Sequence, residues 1–247
     1  MPLLSPVHIC LVFGIAGLAV LLAALCRNGS ASGKGIRLFL GCILAGNELI
    51  WWAFRYSQEG LKVSQNLPLQ LCDLTVWMTV LACLTLAPIA VELAYFLGLA
   101  GAGMSVLTPD LWSPWPTYPA IYFFVGHGGM VIAIAVLVFG RLAMLRRGAV
   151  WRVFGLLVLY GIAIGLFNLF YEANYMYLCR RPANPSLLDL MGPWPIYILL
   201  AAPLSLALFW LLWLPTRVRE PESESPPEDE VATAGWGGEA GTRTDTP

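Results

Sequence analysis

The sequence predicts an all-α membrane protein: a polytopic bundle of about seven transmembrane helices, with the N-terminus outside and the C-terminus in the cytoplasm. The first observation is compositional. Of the 247 residues, 58% are hydrophobic and only 12% are charged, which is more apolar surface than one soluble domain can bury. The second is that the apolar residues fall into stretches of about 20, the length that crosses the hydrocarbon core as a helix.

The apolar stretches define a transmembrane domain over residues 1–215. Its candidate spans lie near 7–26, 36–56, 70–87, 89–107, 119–141, 151–171 and 195–214. The first stretch is interpreted as a retained span rather than a signal peptide, because no basic residue precedes it and no small-x-small cleavage site follows. Pro88 separates the third span from the fourth, so these two are expected to form a tight helical hairpin.

The orientation follows from the distribution of Lys and Arg among the connections. One side of the predicted bundle carries Arg27, Lys34, Arg37, Arg141, Arg146, Arg147, Arg152, Arg217 and Arg219, and the other side carries Arg55, Lys62, Arg180 and Arg181. Basic residues concentrate on the cytoplasmic side of membrane proteins. The sequence therefore predicts a multi-pass protein of the cell membrane.

The remaining composition limits the partners and cofactors. Residues 216–247 are rich in Pro, Glu, Ser and Gly, which is typical of a disordered acidic tail. The net charge of -1 provides no basic face for nucleic acid, so membrane lipid is the expected partner. None of the six cysteines is paired at the spacing of a metal motif, and neither a metal nor a cofactor is expected. The oligomeric state is left open.

Polar side chains are predicted to meet at one depth near the outer face. They come from four spans and comprise Glu48, Arg55, Gln70, Cys72, Asp73, His127, Asn168, Glu172 and Asn174. Glu48 and Arg55 share one helix face, as do Asn168 and Glu172. Ionisable groups inside a span are costly unless they are paired or face a cavity, which makes this layer a candidate substrate site. The open alternative is a network of ion pairs that only fixes the order of the helices.

Two members of this layer are candidate catalytic residues. His127 lies in Gly126-His127-Gly128-Gly129, where small neighbours would let a substrate approach an imidazole suited to general-base chemistry. The same glycines could instead serve close helix packing. Cys72 lies at a predicted helix start, where the helix dipole favours a nucleophilic thiolate. Its alternatives are a disulfide with Cys179 and a packing role.

Several motifs carry a family resemblance. Leu67-Pro68-Leu69-Gln70-Leu71-Cys72-Asp73-Leu74, Gly126-His127-Gly128, Asn174-Tyr175-Met176-Tyr177-Leu178-Cys179 and Gly192-Pro193-Trp194-Pro195 resemble the YwaF family of bacterial integral membrane proteins of uncharacterised function. That family is distantly similar to vertebrate transmembrane protein 164, which is described as an acyltransferase that makes arachidonoyl ether phospholipids through a cysteine and a histidine.

Of the two catalytic residues that the resemblance implies, the histidine has a direct counterpart in this sequence and the cysteine does not. The histidine carries over onto His127. The cysteine of the vertebrate motif Pro-Cys-His aligns with Leu69, and Gln70 stands where the YwaF pattern has a histidine, so Cys72 would act from one helical turn away.

Three functions remain open at this stage, and whether the protein is an enzyme is one of the open points. The first is lipid acyl transfer or hydrolysis, with His127 as the base, Cys72 as the nucleophile, and Gln70 or Asn168 as hydrogen-bond donors. The second is a small-solute or proton-coupled transporter that uses Glu48, Asp73 and Glu172. The third is a structural membrane protein whose polar layer only fixes packing.

Overall fold

The structure, a computed structural model, describes residues 4–27, 32–111, 113–182 and 187–217, and within these ranges it is all-helical. Seven long helices follow one another along the chain: α1 Pro6–Arg27, α2 Ser32–Glu59, α3 Leu71–Thr85, α4 Pro88–Leu107, α5 Tyr118–Phe139, α6 Ala149–Tyr171 and α7 Ile196–Arg217. Six of them are 20 residues or longer and apolar enough to cross a membrane. The predicted fold class, a polytopic helical bundle, is confirmed.

The chain divides into two compact units, residues 1–213 and 214–247. The first unit holds α1 to α6 and most of α7. Of the second unit only the last residues of α7 are described. The predicted disordered tail, 216–247, lies outside the described residues beyond Arg217.

The shortest connection between helices joins α3 to α4. Leu86 caps the end of α3 in the left-handed conformation, with a φ of 58°, and its N–H donates to the Ala82 carbonyl. Pro88 then begins α4, where its missing N–H costs nothing because that group would have no partner in the first turn. The two helices form the tight hairpin that the sequence predicted.

Helices α4 and α5 are the central helices of the bundle. Each contains a π-helical segment, Ala94–Ala102 in α4 and Ala135–Phe139 in α5. Tyr95 and Phe96 are fully buried there. Helices α1, α6 and α7 are peripheral and carry mostly exposed apolar side chains, which suits a surface solvated by lipid chains.

Because neighbouring helices alternate in direction, their termini collect at two ends. The cavity end comprises the termini at Glu59, Leu71, Leu107, Tyr118 and Tyr171. The basic end comprises those at Arg27, Ser32, Thr85, Pro88, Phe139 and Ala149. The polar side chains predicted to share one depth all belong to the cavity end.

Candidate functional site

A cavity of about 720 Å³ opens at the cavity end between α2, α3, α4 and α5. Five of the predicted site residues line it, namely Arg55, Gln70, Cys72, Asp73 and His127. A volume of this size lies within the range typical of small-molecule pockets. The structure therefore brings both candidate catalytic residues to one cavity.

His127 is held in a defined tautomer. Its Nδ1 lies 2.9 Å from the Phe123 carbonyl oxygen, one turn earlier in α5. A carbonyl can only accept, so Nδ1 carries the proton and the neutral ring keeps its lone pair on Nε2. The Phe123 ring lies against the imidazole, with 4.2 Å between ring centroids. These contacts fix an imidazole that can accept a proton through Nε2.

The glycines around His127 serve helix packing. A Cβ on Gly128 would come within 2.6 Å of Ile15 in α1, and one on Gly129 within 2.9 Å of Leu44 in α2. Small residues allow such close helix contacts in membrane bundles. The packing alternative thus accounts for Gly128 and Gly129, while His127 itself faces the cavity.

Cys72 is a free, exposed thiol in the first turn of α3. Cys179 is also free, so the structure contains no disulfide between them, and that alternative is not realised. Asp73 follows Cys72 and accepts a hydrogen bond from the Gln70 N–H at 2.9 Å. This bond satisfies a backbone donor at the start of the helix. The neighbouring Cys72 side chain is among the residues that line the cavity.

The Gln70 side chain is oriented by the segment after α6. Its Oε1 accepts the Met176 N–H at 2.9 Å. An amide whose oxygen is engaged in this way must present its NH₂ group elsewhere, and Gln70 lines the cavity. The arrangement suits a hydrogen-bond donor to a bound oxygen.

Glu48 is buried beside the cavity without lining it. Its carboxylate accepts hydrogen bonds from Trp52 Nε1 at 3.0 Å and from the Tyr122 hydroxyl at 2.9 Å. Tyr122 does line the cavity, and its ring stacks on Trp51 at 4.2 Å. Glu48 is therefore connected to the cavity by its hydrogen bond with Tyr122. Tyr122 was not predicted from the sequence, since one tyrosine among apolar residues gives no distinguishing signal.

Arg55 supplies the positive charge of the cavity. Its guanidinium pairs with Glu59 at 3.3 Å and lies 5.9 Å from the centre of the Trp51 ring. Asp110 is a further carboxylate in the lining. Since carboxylates outnumber the single arginine, the polar part of the cavity carries negative charge.

Asn168, Glu172 and Asn174 do not line the cavity. Asn168 is buried and bonds both backbone groups of Tyr175, its Oδ1 accepting from the N–H and its Nδ2 donating to the carbonyl, each at 2.9 Å. Glu172 is exposed at the end of α6 with a φ of 51°. Asn174 Oδ1 accepts the N–H groups of Cys179 and Arg180. The hydrogen bonds of these two asparagines stabilise the backbone of the segment after α6.

Tyr175 anchors the same segment to the chain before α3. Its hydroxyl donates to the Val63 carbonyl at 2.9 Å and accepts the Leu67 N–H at 2.8 Å. Burial raises the pKa of this phenol, so the hydroxyl remains a donor at neutral pH. These two hydrogen bonds therefore fasten the loop before α3, which places Gln70 at the cavity, to the segment after α6.

A second ionic cluster, which was not predicted from the sequence, lies at the basic end. Glu92 is fully buried in α4 and pairs with Arg146 at 2.8 Å and Arg152 at 2.7 Å. The hydrogen bond from Arg146 to Glu92 raises the pKa of that arginine. The signal that could have revealed Glu92 was its own position, since it is a carboxylate within an apolar span.

Within the described ranges, no group of three or more His, Cys, Asp or Glu side chains is arranged so that it could hold a metal ion.

Comparison with protein families assigns the chain. The model of the TMEM164 family matches residues 3–213, which includes the six helices α1 to α6 and most of α7. The protein belongs to the TMEM164 family. Neither the curated proteins nor the solved structures provide a match. Membership in the TMEM164 family confirms the broader part of the predicted resemblance, and the cavity with Cys72 and His127 lies within the matched region.

Proposed function

We propose that this TMEM164-family protein is a membrane-embedded lipid acyltransferase or hydrolase whose active site is the cavity containing Cys72 and His127. The observation that carries the proposal is that a free thiol and an imidazole with an available Nε2 line one cavity. A thiol and a nearby base together form the group pair of nucleophilic acyl transfer. We also propose a relation to the bacterial YwaF proteins, supported by the motif from Leu67 to Leu74.

The first half-reaction forms an acyl-enzyme. His127 Nε2 accepts the Cys72 proton as the sulfur bonds to the ester carbonyl carbon of a lipid. The tetrahedral intermediate collapses by breaking the carbon–oxygen bond, and His127 returns the proton to the departing alkoxide. A thioester on Cys72 and a free alcohol result.

The second half-reaction distinguishes a transferase from a hydrolase. His127 accepts a proton from the hydroxyl of a lysolipid or from water, and that oxygen attacks the thioester carbonyl. The carbon–sulfur bond breaks and the sulfur recovers the proton. The Gln70 amide is the proposed donor to the oxyanion in both steps, since Met176 engages its oxygen and its NH₂ group is the part left to donate.

The rest of the lining suits a lipid substrate. Leu97, Ala102, Met130 and Met176 provide apolar parts of the lining. An acyl chain can lie along such walls while the ester reaches the polar groups. A proton-coupled transport role is less well supported, because Glu48 does not line the cavity and both of its oxygens accept hydrogen bonds.

The test is covalent capture of the acyl-enzyme. Purified protein is incubated with phosphatidylcholine that carries an alkyne-tagged acyl chain, and the attached tag is measured in gel before and after neutral hydroxylamine, which cleaves thioesters. We expect tagging that is sensitive to hydroxylamine and absent in Cys72→Ala. In His127→Gln the tagging rate should fall by about 10²-fold or more, because the base is lost.

Cys179→Ala is the matched control, since this free thiol is absent from the cavity lining. It should be tagged like the parent protein. Tagging that persists in Cys72→Ala would exclude Cys72 as the nucleophile. If the parent protein neither takes up the tag nor releases lysophosphatidylcholine, the enzymatic proposal fails.

A further inference from the structure

The basic end of the bundle carries a strong excess of positive charge. Among the described residues it holds seven basic side chains, Arg27, Lys34, Arg37, Arg141, Arg146, Arg147 and Arg152, and a single acidic one, Glu92. The cavity end is different, because it carries acidic as well as basic residues, namely Arg55, Lys62, Arg180 and Arg181 beside Glu48, Glu59, Asp73, Asp110, Glu172 and Asp189. The charge asymmetry therefore exists in the fold and not only along the sequence.

Two helix ends pack against the connection between α5 and α6 and bring these basic residues together. A Cβ on Gly33, at the start of α2, would lie 3.0 Å from Leu142 in that connection. A Cβ on Gly140 would lie equally close to Cys26, near the end of α1. The end of α1 with Arg27 and the start of α2 with Lys34 are thus direct neighbours of the segment with Arg141 to Arg147.

One carboxylate is shared by two of these arginines. Glu92 binds Arg146 and Arg152 together, so the three side chains keep a net charge of one positive unit. The side chains of Arg146 and Arg152 remain 50% and 38% exposed. Arg27, Lys34, Arg141 and Arg147 are exposed as well.

The depth of this surface matches the headgroup layer. Helices of 20 to 28 residues extend about 30 Å or more, which is the thickness of the hydrocarbon core. Residues at the helix termini therefore lie among the phosphate groups of one leaflet. Guanidinium groups bind phosphate through charge-assisted, often paired hydrogen bonds.

We propose that the basic end is a binding surface for the phosphate groups of anionic membrane lipids. Clusters of four to eight basic residues next to transmembrane helices attract anionic lipids, each charge strengthening the attraction by about fivefold. The ion cluster around Glu92 fixes two of the arginines at the start of α6, and the exposed residues provide the remaining charge. This surface is separate from the cavity and does not depend on the acyl-transfer proposal.

The test compares lipid-induced stabilisation of the purified protein. Thermal unfolding in detergent micelles is followed by tryptophan fluorescence, with phosphatidylglycerol, phosphatidylcholine or inorganic phosphate added in separate titrations. We expect phosphatidylglycerol to raise the Tm, with a smaller rise at high salt, and phosphatidylcholine to do so much less. In the triple variant Lys34→Gln, Arg141→Gln, Arg147→Gln, which retains both partners of Glu92, phosphatidylglycerol affinity should fall by about 100-fold.

Two further variants make the result decisive. Lys62→Gln with Arg180→Gln removes basic residues from the cavity end and should leave the lipid effect unchanged. Arg141→Lys with Arg147→Lys keeps the charge and should retain most of the affinity, which separates loss of charge from damage to the fold. Equal stabilisation by the two lipids, or an unchanged effect in the triple variant, would overturn the proposal. A shift produced by inorganic phosphate alone would overturn the assignment to lipid.

Discussion

The Asn168 carboxamide binds both backbone groups of Tyr175 beyond the end of α6. Replacing Asn168 with Ala leaves the buried Tyr175 N–H without its partner and leaves the carbonyl with only the longer bond from the Leu178 N–H, at 3.4 Å. We expect the free energy of unfolding to fall by about 1–3 kcal/mol, the usual cost of one unsatisfied buried group. Reversible SDS unfolding followed by circular dichroism measures the difference.

Glu172→Gln is the control at this site, since Glu172 is exposed and only one helical turn from Asn168. Its unfolding free energy should stay within about 0.5 kcal/mol of the parent value, as for most surface substitutions. An Asn168→Ala variant as stable as the parent would mean that water satisfies the Tyr175 backbone.

The sequence identifies the chemistry of individual residues better than the direction in which their side chains point. Arg55, Gln70, Cys72, Asp73 and His127 were predicted from their depth, and all five line the cavity. Helical spacing also placed Asn168 and Glu172 on a common face, but it could not predict that the chain turns back after Tyr171 and takes up the Asn168 amide. Such a turn depends on backbone geometry rather than on periodicity.

At the level of helices, Gly41 sets the distance between α2 and α3. A Cβ on Gly41 would lie 2.9 Å from Cys83 Cβ, an atom that cannot move without its backbone. We expect Gly41→Ala to lower the free energy of unfolding by about 1–3 kcal/mol, the usual cost of overpacking. Thermal unfolding in detergent micelles measures the change.

Gly46 provides a matched control on the same helix. A Cβ there meets no atom within 4 Å, and alanine is the better helix former by up to about 1 kcal/mol. Gly46→Ala should therefore be neutral or slightly stabilising. If both substitutions destabilise the protein equally, the effect is a property of glycine in this helix and not of the contact with α3.

Hydropathy predicts the number of helices well because seven apolar stretches have one common cause, the thickness of the hydrocarbon core. It cannot predict the π-helical segments in α4 and α5. Residues such as those in Ala94–Ala102 are equally compatible with an α-helix. Hydropathy therefore gives no signal that distinguishes the wider π-helical turn from an α-helical one.

Across the whole bundle, Glu92 joins α4 to the connection between α5 and α6 and to α6 itself. Replacing it with Gln removes the counter-charge of two arginines. We expect a loss of about 2 kcal/mol in the free energy of unfolding, less than the about 3–5 kcal/mol of a fully buried pair, because both guanidinium groups reach solvent. SDS unfolding of Glu92→Gln beside Glu59→Gln, whose ion pair is exposed, measures the loss, and equal stability of the two variants would contradict it.

The charge distribution predicts the orientation of the molecule in the membrane. Basic residues of the described chain dominate one end, while acidic and basic residues occur together at the other. Because cytoplasmic connections accumulate Lys and Arg, we expect the basic end in the cytoplasm and the cavity open to the outside.

The measurement is labelling of intact bacterial cells with a membrane-impermeant maleimide, in a variant whose own cysteines are replaced. Lys62→Cys, at the cavity end, should react before lysis, and Arg147→Cys, at the basic end, only after it. The reverse pattern would place the cavity at the cytoplasmic face, where any lipid substrate would have to come from the inner leaflet. The orientation of the bundle thus determines which leaflet would supply a lipid substrate.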